Sequence, residues 1–415
     1  MRRMLIIIAG IIVLTGIGVA LYFFFFANAP TLSVDTTPNP FGEAPDSLAP
    51  TDTSSEGSAL VSEAGEYVAP RLVRITKGPV AAGNVVFSVG TTSSTGQGTG
   101  TSTLEAIPEK DYEIRYVERA TGNVYSYLFN KRALTRISNK TIPGVQEAVW
   151  LSDGSQTYVR YLVQGENTTN SAVETYALPL SGEEGFFLEK DLSQVLAKND
   201  GTVMTVLPST SSTLVNMVDK GGRSLSSGFS VPLASLRIQF AGEDFLAVTR
   251  PSASLDGYAF LVEDTTDTLA RVLGPFRGLS ALPSPSGEFL LYHSLNKGAL
   301  SLSLYDRTSR ATIALPVSTL VEKCVWANDE TKIYCGVPRA LSGTLPDAWY
   351  QGAVAFSDRL WVIDVAGRVA ALLVDPGTAS EEEEPIDAVA LTVDSGANVL
   401  VFTDKKTGAL YAYDL

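Results

Sequence analysis

AVWLSDGSQTYVRYLV, residues 148–163, is an apolar run, a tight turn and a second apolar run. Val, Tyr and Trp fit a pleated, half-buried surface, and Asp153-Gly154 supply the positive φ that a short hairpin needs. The same grammar returns in LPSPSGEFLLYHS (282–294), CVWANDETKIYCGV (324–337) and ALTVDSGANVLVFTD (390–404). A companion strand ends in Asp and a small turn: SLSLYDRTSR (301–310), LWVIDVAGR (360–368) and ALYAYDL (409–415). The unit recurs at roughly 40–50 residues, the period of propeller blades. Beyond Pro70 no convincing amphipathic helix interrupts these strands.

The expected fold is therefore all-β, a β-propeller of about seven blades over residues 70–415. Strand groups begin near Ala81, Glu147, Val203, Leu236, Leu279, Cys324 and Ala388. The last group reaches Tyr413-Asp414-Leu415 after only three strands, while Arg71-Leu72-Val73-Arg74-Ile75-Thr76 is a strand without a blade of its own. An unpaired edge is a liability, so the early strand is expected to complete the last blade and close the ring. A pair of stacked sheets is the alternative.

These turns resemble the TolB-type and WD40-like propeller repeat, with its Trp-Ser-Pro-Asp-Gly turn, apolar strand and Tyr-x-x-Asp strand end. The match is closest at Trp150 to Gly154, Ser284 to Gly287 and Trp326 to Asp329, and looser from Asn199 to Gly274. The resemblance implies a fold and not an activity, because propellers host unrelated functions.

Ahead of the repeats, Met4 to Ala27 (MLIIIAGIIVLTGIGVALYFFFFA) carries no charge. As a helix it would span roughly 36 Å, enough to cross a bilayer. Arg2 and Arg3 precede it and no Lys or Arg follows until Arg71, which leaves residues 1–3 cytoplasmic and exports the rest. A cleaved signal peptide is the competing reading, with Ala27-Asn28-Ala29 as its small-residue pattern. The long apolar run and Pro30 favour retention, and Tyr22 with Phe23 to Phe26 suits the far interface. Residues 28–69, rich in Pro, Ser, Thr and acids, read as a disordered tether, and Thr91 to Thr103 as a mobile loop.

With 45 acids against 31 bases the net charge is -14, which argues against a nucleic-acid partner. One histidine and two cysteines leave little from which to build a metal centre or an imidazole-driven site, and no cofactor is expected. No nucleophile elbow, phosphate loop or zinc motif is present.

The candidate residues are few. Cys324 and Cys335 flank a turn symmetrically, and in an exported compartment they are expected to form a cross-strand disulfide; buried thiols are the other state. Arg115, Arg160, Arg250 and His293 fall near equivalent places in different repeats and could ring the central funnel for an anionic ligand. Alternatively they are solvated or paired with acids such as Glu113 and Glu118. Trp349 and Tyr350 stand in an insertion, Arg339 to Arg359, as a contact site or as packing over their own blade. Glu381 to Glu384 reads as a solvated loop.

Three functions stay open. The first is a membrane-tethered, extracytoplasmic propeller that binds a protein, peptide or glycan. The second is a hydrolase or lyase on the same scaffold, and the third a structural subunit of an envelope secretion or pilus assembly.

Overall fold

A computed structural model describes residues 60–61, 67–68, 71–91, 109–164, 171–198, 200–225, 228–263, 268–379 and 385–415. The expected membrane span, the tether up to its last short segments, most of the Thr91 to Thr103 tract and the Glu381 to Glu384 run lie outside these residues. Among the described residues no helix is long and apolar enough to cross a membrane.

The repeat grammar becomes seven four-stranded antiparallel sheets, each a blade built from consecutive strands except the last. Counting from the chain start, blade one comprises Val85–Thr91, Glu109–Val117, Val124–Leu128 and Ala133–Arg136. Blade two comprises Val145–Trp150, Gln156–Gln164, Ser171–Pro179 and Phe186–Phe187, and blade three Gln194–Ala197, Val203–Pro208, Thr213–Val218 and Phe229–Val231. Blade four runs through Arg237–Ala241, Asp244–Val248, Asp256–Val262 and Leu269–Arg277, and blade five through Ser280–Pro283, Phe289–Asn296, Ala299–Asp306 and Thr312–Ala314. Blade six is Cys324–Trp326, Lys332–Pro338, Asp358–Asp364 and Val369–Val374. Blade seven is Ala388–Val393, Val399–Asp404 and Leu410–Asp414, completed on its outer side by Leu72–Arg74. A separate two-stranded ladder pairs Leu60–Val61 with Tyr67–Val68.

The closing strand is in register Leu72 with Tyr413, Val73 with Ala412 and Arg74 with Tyr411. The Asp414 N–H donates to Arg71 O at 2.9 Å, and Ile75 N–H to Leu410 O at 2.8 Å. Arg71 and Arg74 also lay their guanidinium groups over the rings of Tyr413 and Tyr411, 4.9 and 5.9 Å from the centroids.

Strand alternation explains why the sheets stack as wedges. Successive side chains point to opposite faces of a sheet. In the fully buried strand Val399–Asp404, Val399 and Val401 pack with Val86 and Ile114 of blade one, while Leu400 and Phe402 pack with Tyr334 and Leu360 of blade six. The same division recurs at every junction. Separate apolar clusters fill the seams between blades one and two, two and three, three and four, four and five, and five and six. Two stacked sheets would give one seam; a closed ring of seam-filled wedges sets that alternative aside.

The turns show the expected chemistry. Asp153 Oδ1 accepts hydrogen bonds from the Ser155 N–H and hydroxyl at 2.9 and 2.7 Å, and Gly154 follows at φ +68°. A Cβ on Gly154 would stand 2.6 Å from Phe87 Cε1, so this position needs glycine for space as well as for backbone. Asp394 is used harder: Oδ1 takes the N–H groups of Asn398 and Val399 at 2.6 and 2.7 Å, and Oδ2 that of Gly396 at 3.0 Å.

One strand group is placed differently from the sequence reading. Val203 begins the second strand of blade three, and the first is the short Gln194–Ala197 ahead of it. Cys324 and Cys335 sit directly opposite each other, Cα to Cα 4.1 Å, and are joined by a disulfide.

Candidate functional site

The first strand of each blade is the innermost, and all begin at the same end of the central channel. Arg237 and Ser280 are the first residues of two such strands, Gln194 opens a third, and Glu322 lies in the 3-10 turn Val321–Lys323 just before a fourth. Blades three to six thus deliver Gln194, Arg237, Ser280 and Glu322 to one mouth of the channel. A cleft of about 480 Å³ lies there, walled further by Arg250, Asp347 and Tyr350 and by the aliphatic surfaces of Leu236, Val248 and Pro251.

Glu322 organises the floor. Its Oε1 accepts from Arg237 Nη1 at 2.8 Å and from Ser280 Oγ at 2.7 Å. Burial pushes its carboxyl up, but the attraction of His293 when that ring is protonated, the Arg237 charge and hydrogen bonds from Ser280 and Tyr350 hold it below the ordinary range. His293 is wholly buried behind it, Nδ1 4.0 Å from Glu322 Oε2, and accepts the Val321 N–H at 3.1 Å. Burial lowers the His293 pKa against the pull of Glu322, so at neutral pH the ring is uncharged and Arg237 is the main counter-charge. Tyr350 presents part of its ring to solvent, while burial of its hydroxyl end and the adjacent Glu322 carboxylate raise its pKa well above the usual value.

The cleft's far wall comes from the insertion between the second and third strands of blade six. Its one-turn helix Asp347–Tyr350 reaches across blade five to blade four, where Asp347 Oδ2 accepts the Ala253 N–H at 2.6 Å. A buried charge cluster fixes the base of this insertion. Lys323 Nζ, fully buried, contacts Asp387 Oδ1, Asp358 Oδ2 at 2.6 Å and the Ala388 carbonyl at 3.0 Å. Asp387 Oδ2 in turn accepts from Trp349 Nε1 at 3.0 Å and from the Phe356 N–H at 2.9 Å. Lys405 Nζ stands 3.9 Å above the Trp349 ring and also reaches the Trp349 carbonyl.

The residues singled out in the sequence divide into two sets. Arg115, Arg160 and His293 lie on second strands, one strand away from the channel, opposite Val85, Glu147 and Ser280. They form no ring facing the funnel. Arg115 pairs with Glu113 at 2.6 Å and donates to the Gly154 carbonyl at 2.7 Å, tying blade one to blade two. Arg160 pairs with Glu147 and reaches the Leu192 carbonyl at 2.5 Å. Arg250 and Tyr350, in contrast, meet in the cleft, and Trp349 is buried in the charge cluster.

Arg237, Ser280, Glu322, Lys323, Asp358 and Asp387 were not singled out. The available signal was positional: polar residues stand at or beside the start of successive innermost strands, which becomes visible only once strand starts are aligned.

Among the described residues the cleft holds no assembled nucleophile. Ser280 Oγ gives its hydrogen to Glu322 and His293 Nδ1 accepts a backbone N–H, so among the described residues these two make no serine-to-imidazole contact of the kind that activates a nucleophile. Among the described residues no group of three or more His, Cys, Asp or Glu is arranged to hold a metal ion.

No family model matches the chain, and no curated protein matches it. Among solved structures it is similar to the β-propeller domain of the Trilobed protease from Pyrococcus furiosus, described as having an open velcro topology. The two share 12% identity at a TM-score of 0.45, over 74% of this chain and 89% of that one.

Proposed function

We propose that this chain is a membrane-tethered binding module, its propeller held outside the cytoplasmic membrane and its channel-mouth cleft engaging a segment of a partner protein. The observation that carries this reading is the cleft itself. Four blades and an insertion converge on it, and its volume lies in the range of ligand sites. Its polar groups are few and convergent against aliphatic walls, the usual make-up of a specific binding surface. The tether and the outward orientation rest on the uncharged run Met4 to Ala27 behind Arg2 and Arg3, and a cross-strand disulfide suits an oxidising compartment. A hydrolase or lyase reading draws less support from the cleft, where Ser280 donates to Glu322 and makes no contact with the His293 ring.

The test is site-specific photocrosslinking in intact cells of a host carrying the full chain. A photoreactive side chain at Gln351, on the cleft wall, should trap a discrete protein adduct, and one at Leu134, on the outer edge of blade one, should not. Carbonate-washed membranes should retain the chain, and protease applied from outside should reach it. Adducts of equal yield at both positions, or none at Gln351, would defeat the reading.

A further inference from the structure

Resting on that binding reading, we infer that the cleft recognises a carboxylate carried by an apolar-flanked peptide segment, with Arg250 as the group that takes it. Arg250 stands just past the second strand of blade four, exposed at the cleft wall, and has neither hydrogen bond nor ion pair to any described residue. Its neighbour Arg237 is held by Glu322 through Nη1 only. In a chain with 45 acids against 31 bases, a guanidinium at a cleft wall with no acid of its own is a group available to a partner from elsewhere. A planar guanidinium fork matches a carboxylate in bidentate geometry, which fixes orientation as well as adding affinity.

The rest of the cleft fits a peptide better than a bare anion. Pro251, backed by the nearly buried Leu236 and Val248, provides a small aliphatic surface for a side chain adjacent to the carboxylate. Opposite them Asp347 uses Oδ2 for the Ala253 N–H, and its Oδ1 is open to a backbone N–H of an extended ligand. The floor is closed by the Arg237, Ser280 and Glu322 network, so the Glu322 charge is already answered within the protein and does not oppose an incoming carboxylate. The carboxylate has two possible sources, a chain terminus or an Asp or Glu side chain, and both present the same two oxygens.

The experiment uses the full chain in detergent micelles and three synthetic random-hexapeptide pools. One lacks acids and ends in a free carboxylate, one is amidated with a single fixed Glu, and one is amidated and acid-free. Capture is expected from the first or second pool, whichever source is correct, and not from the third. Arg250→Gln should lower that capture by about tenfold or more, as expected for losing a charge-assisted bidentate pair, with Arg250→Lys in between and Arg271→Gln, on the outer strand of the same blade, unchanged. Unaltered hydrogen exchange at Val248 and Leu261 shows that blade four keeps its fold. Equal capture of the acid-free pool, capture indifferent to Arg250→Gln, or no capture from any pool overturns the inference. If the Gln351 adduct persists undiminished in an Arg250→Gln chain, the binding reading stands and the carboxylate assignment alone falls.

Discussion

The indole of Trp349 donates its Nε1–H to Asp387 Oδ2 at 3.0 Å, joining the blade-six insertion to the residue that leads into blade seven. The same carboxylate neutralises buried Lys323, so the insertion is seated on an ion cluster rather than on apolar packing alone. Removing one member of a buried cluster leaves an uncompensated charge, a larger penalty than the net worth of the pair. Lys323→Met, which leaves Asp358 and Asp387 facing each other, is expected to lose about 3–5 kcal/mol. The double change Lys323→Met with Asp387→Asn should recover part of it. Urea midpoints followed by tryptophan emission decide this, and a loss below about 1 kcal/mol for the single change would show the cluster to be incidental.

The disulfide gives a separate expectation. Cys324 and Cys335, 11 positions apart, close a short loop, and chain-entropy arithmetic for such a loop gives roughly 3 kcal/mol. Cys324→Ala with Cys335→Ala should lower stability by about that amount. Both sulfurs are buried, so native protein should show no reactive thiol and resist mild reductant until unfolded. Rapid thiol labelling of the folded chain would contradict the arrangement.

Closure of the ring can be tested at Val73. Its place opposite Ala412 lies between the Arg71 and Ile75 ladder bonds, so the Val73 N–H belongs to the ladder. Val73→Pro removes that donor and should cost about 1–3 kcal/mol. The amides of Ala412 and Asp414 should then exchange faster, with those of blade four unchanged. Uniform behaviour across blades seven and four would argue against a closing strand.

Acid titration separates two kinds of aspartate. The Thr202 N–H lowers the Asp200 pKa, the Ser309 hydroxyl that of Asp306, and the Thr331 N–H that of Asp329. For these the unfolded chain binds protons more readily, so their stabilisation is present above the ordinary carboxyl pKa and is lost as pH falls through the folded values. Asp358 runs the other way: burial raises it from 3.8 to about 6 despite Lys323, with Asp387 adding to the rise. The folded state holds its proton longer, so this contribution weakens as pH climbs from 3.8 to about 6. Asp358→Asn should flatten the stability profile in that window, and Asp329→Asn should reduce losses below it. Midpoints measured from pH 3 to 7 would show either slope absent if the assignment is wrong.

The strands and the disulfide pairing are legible because each rests on local chemistry, and the closing strand because one strand too few at one end of the domain matches one too many at the other. Alternation marks Val399–Asp404, turn residues mark Asp153-Gly154 and Asp394, and the symmetric flanks of one hairpin align Cys324 with Cys335. The first strand of blade three is hard to read from sequence because Gln194–Ala197 is only four residues long. The charge cluster was hidden for a different reason. Lys323, Asp358 and Asp387 are far apart in the chain and belong to residue types that are ordinarily solvated, so only the packed register brings them together. Arg115 and Arg160 both lie on second strands, which face neighbouring strands and not the channel. Arg250 and Tyr350 converge because the insertion crosses blade five, and no local pattern encodes that crossing.

Arg71 and Asp414 share a hydrogen bond across 343 positions of chain. A ribosome adding roughly 5–20 residues per second needs roughly 20–70 s to travel that distance. Throughout that interval the flank of blade one formed by Val86 and Ile114 waits for Val399 and Val401, its apolar face uncovered in the nascent protein. The seam between blades seven and one is therefore the last to be completed, because half of it belongs to the strand Val399–Asp404.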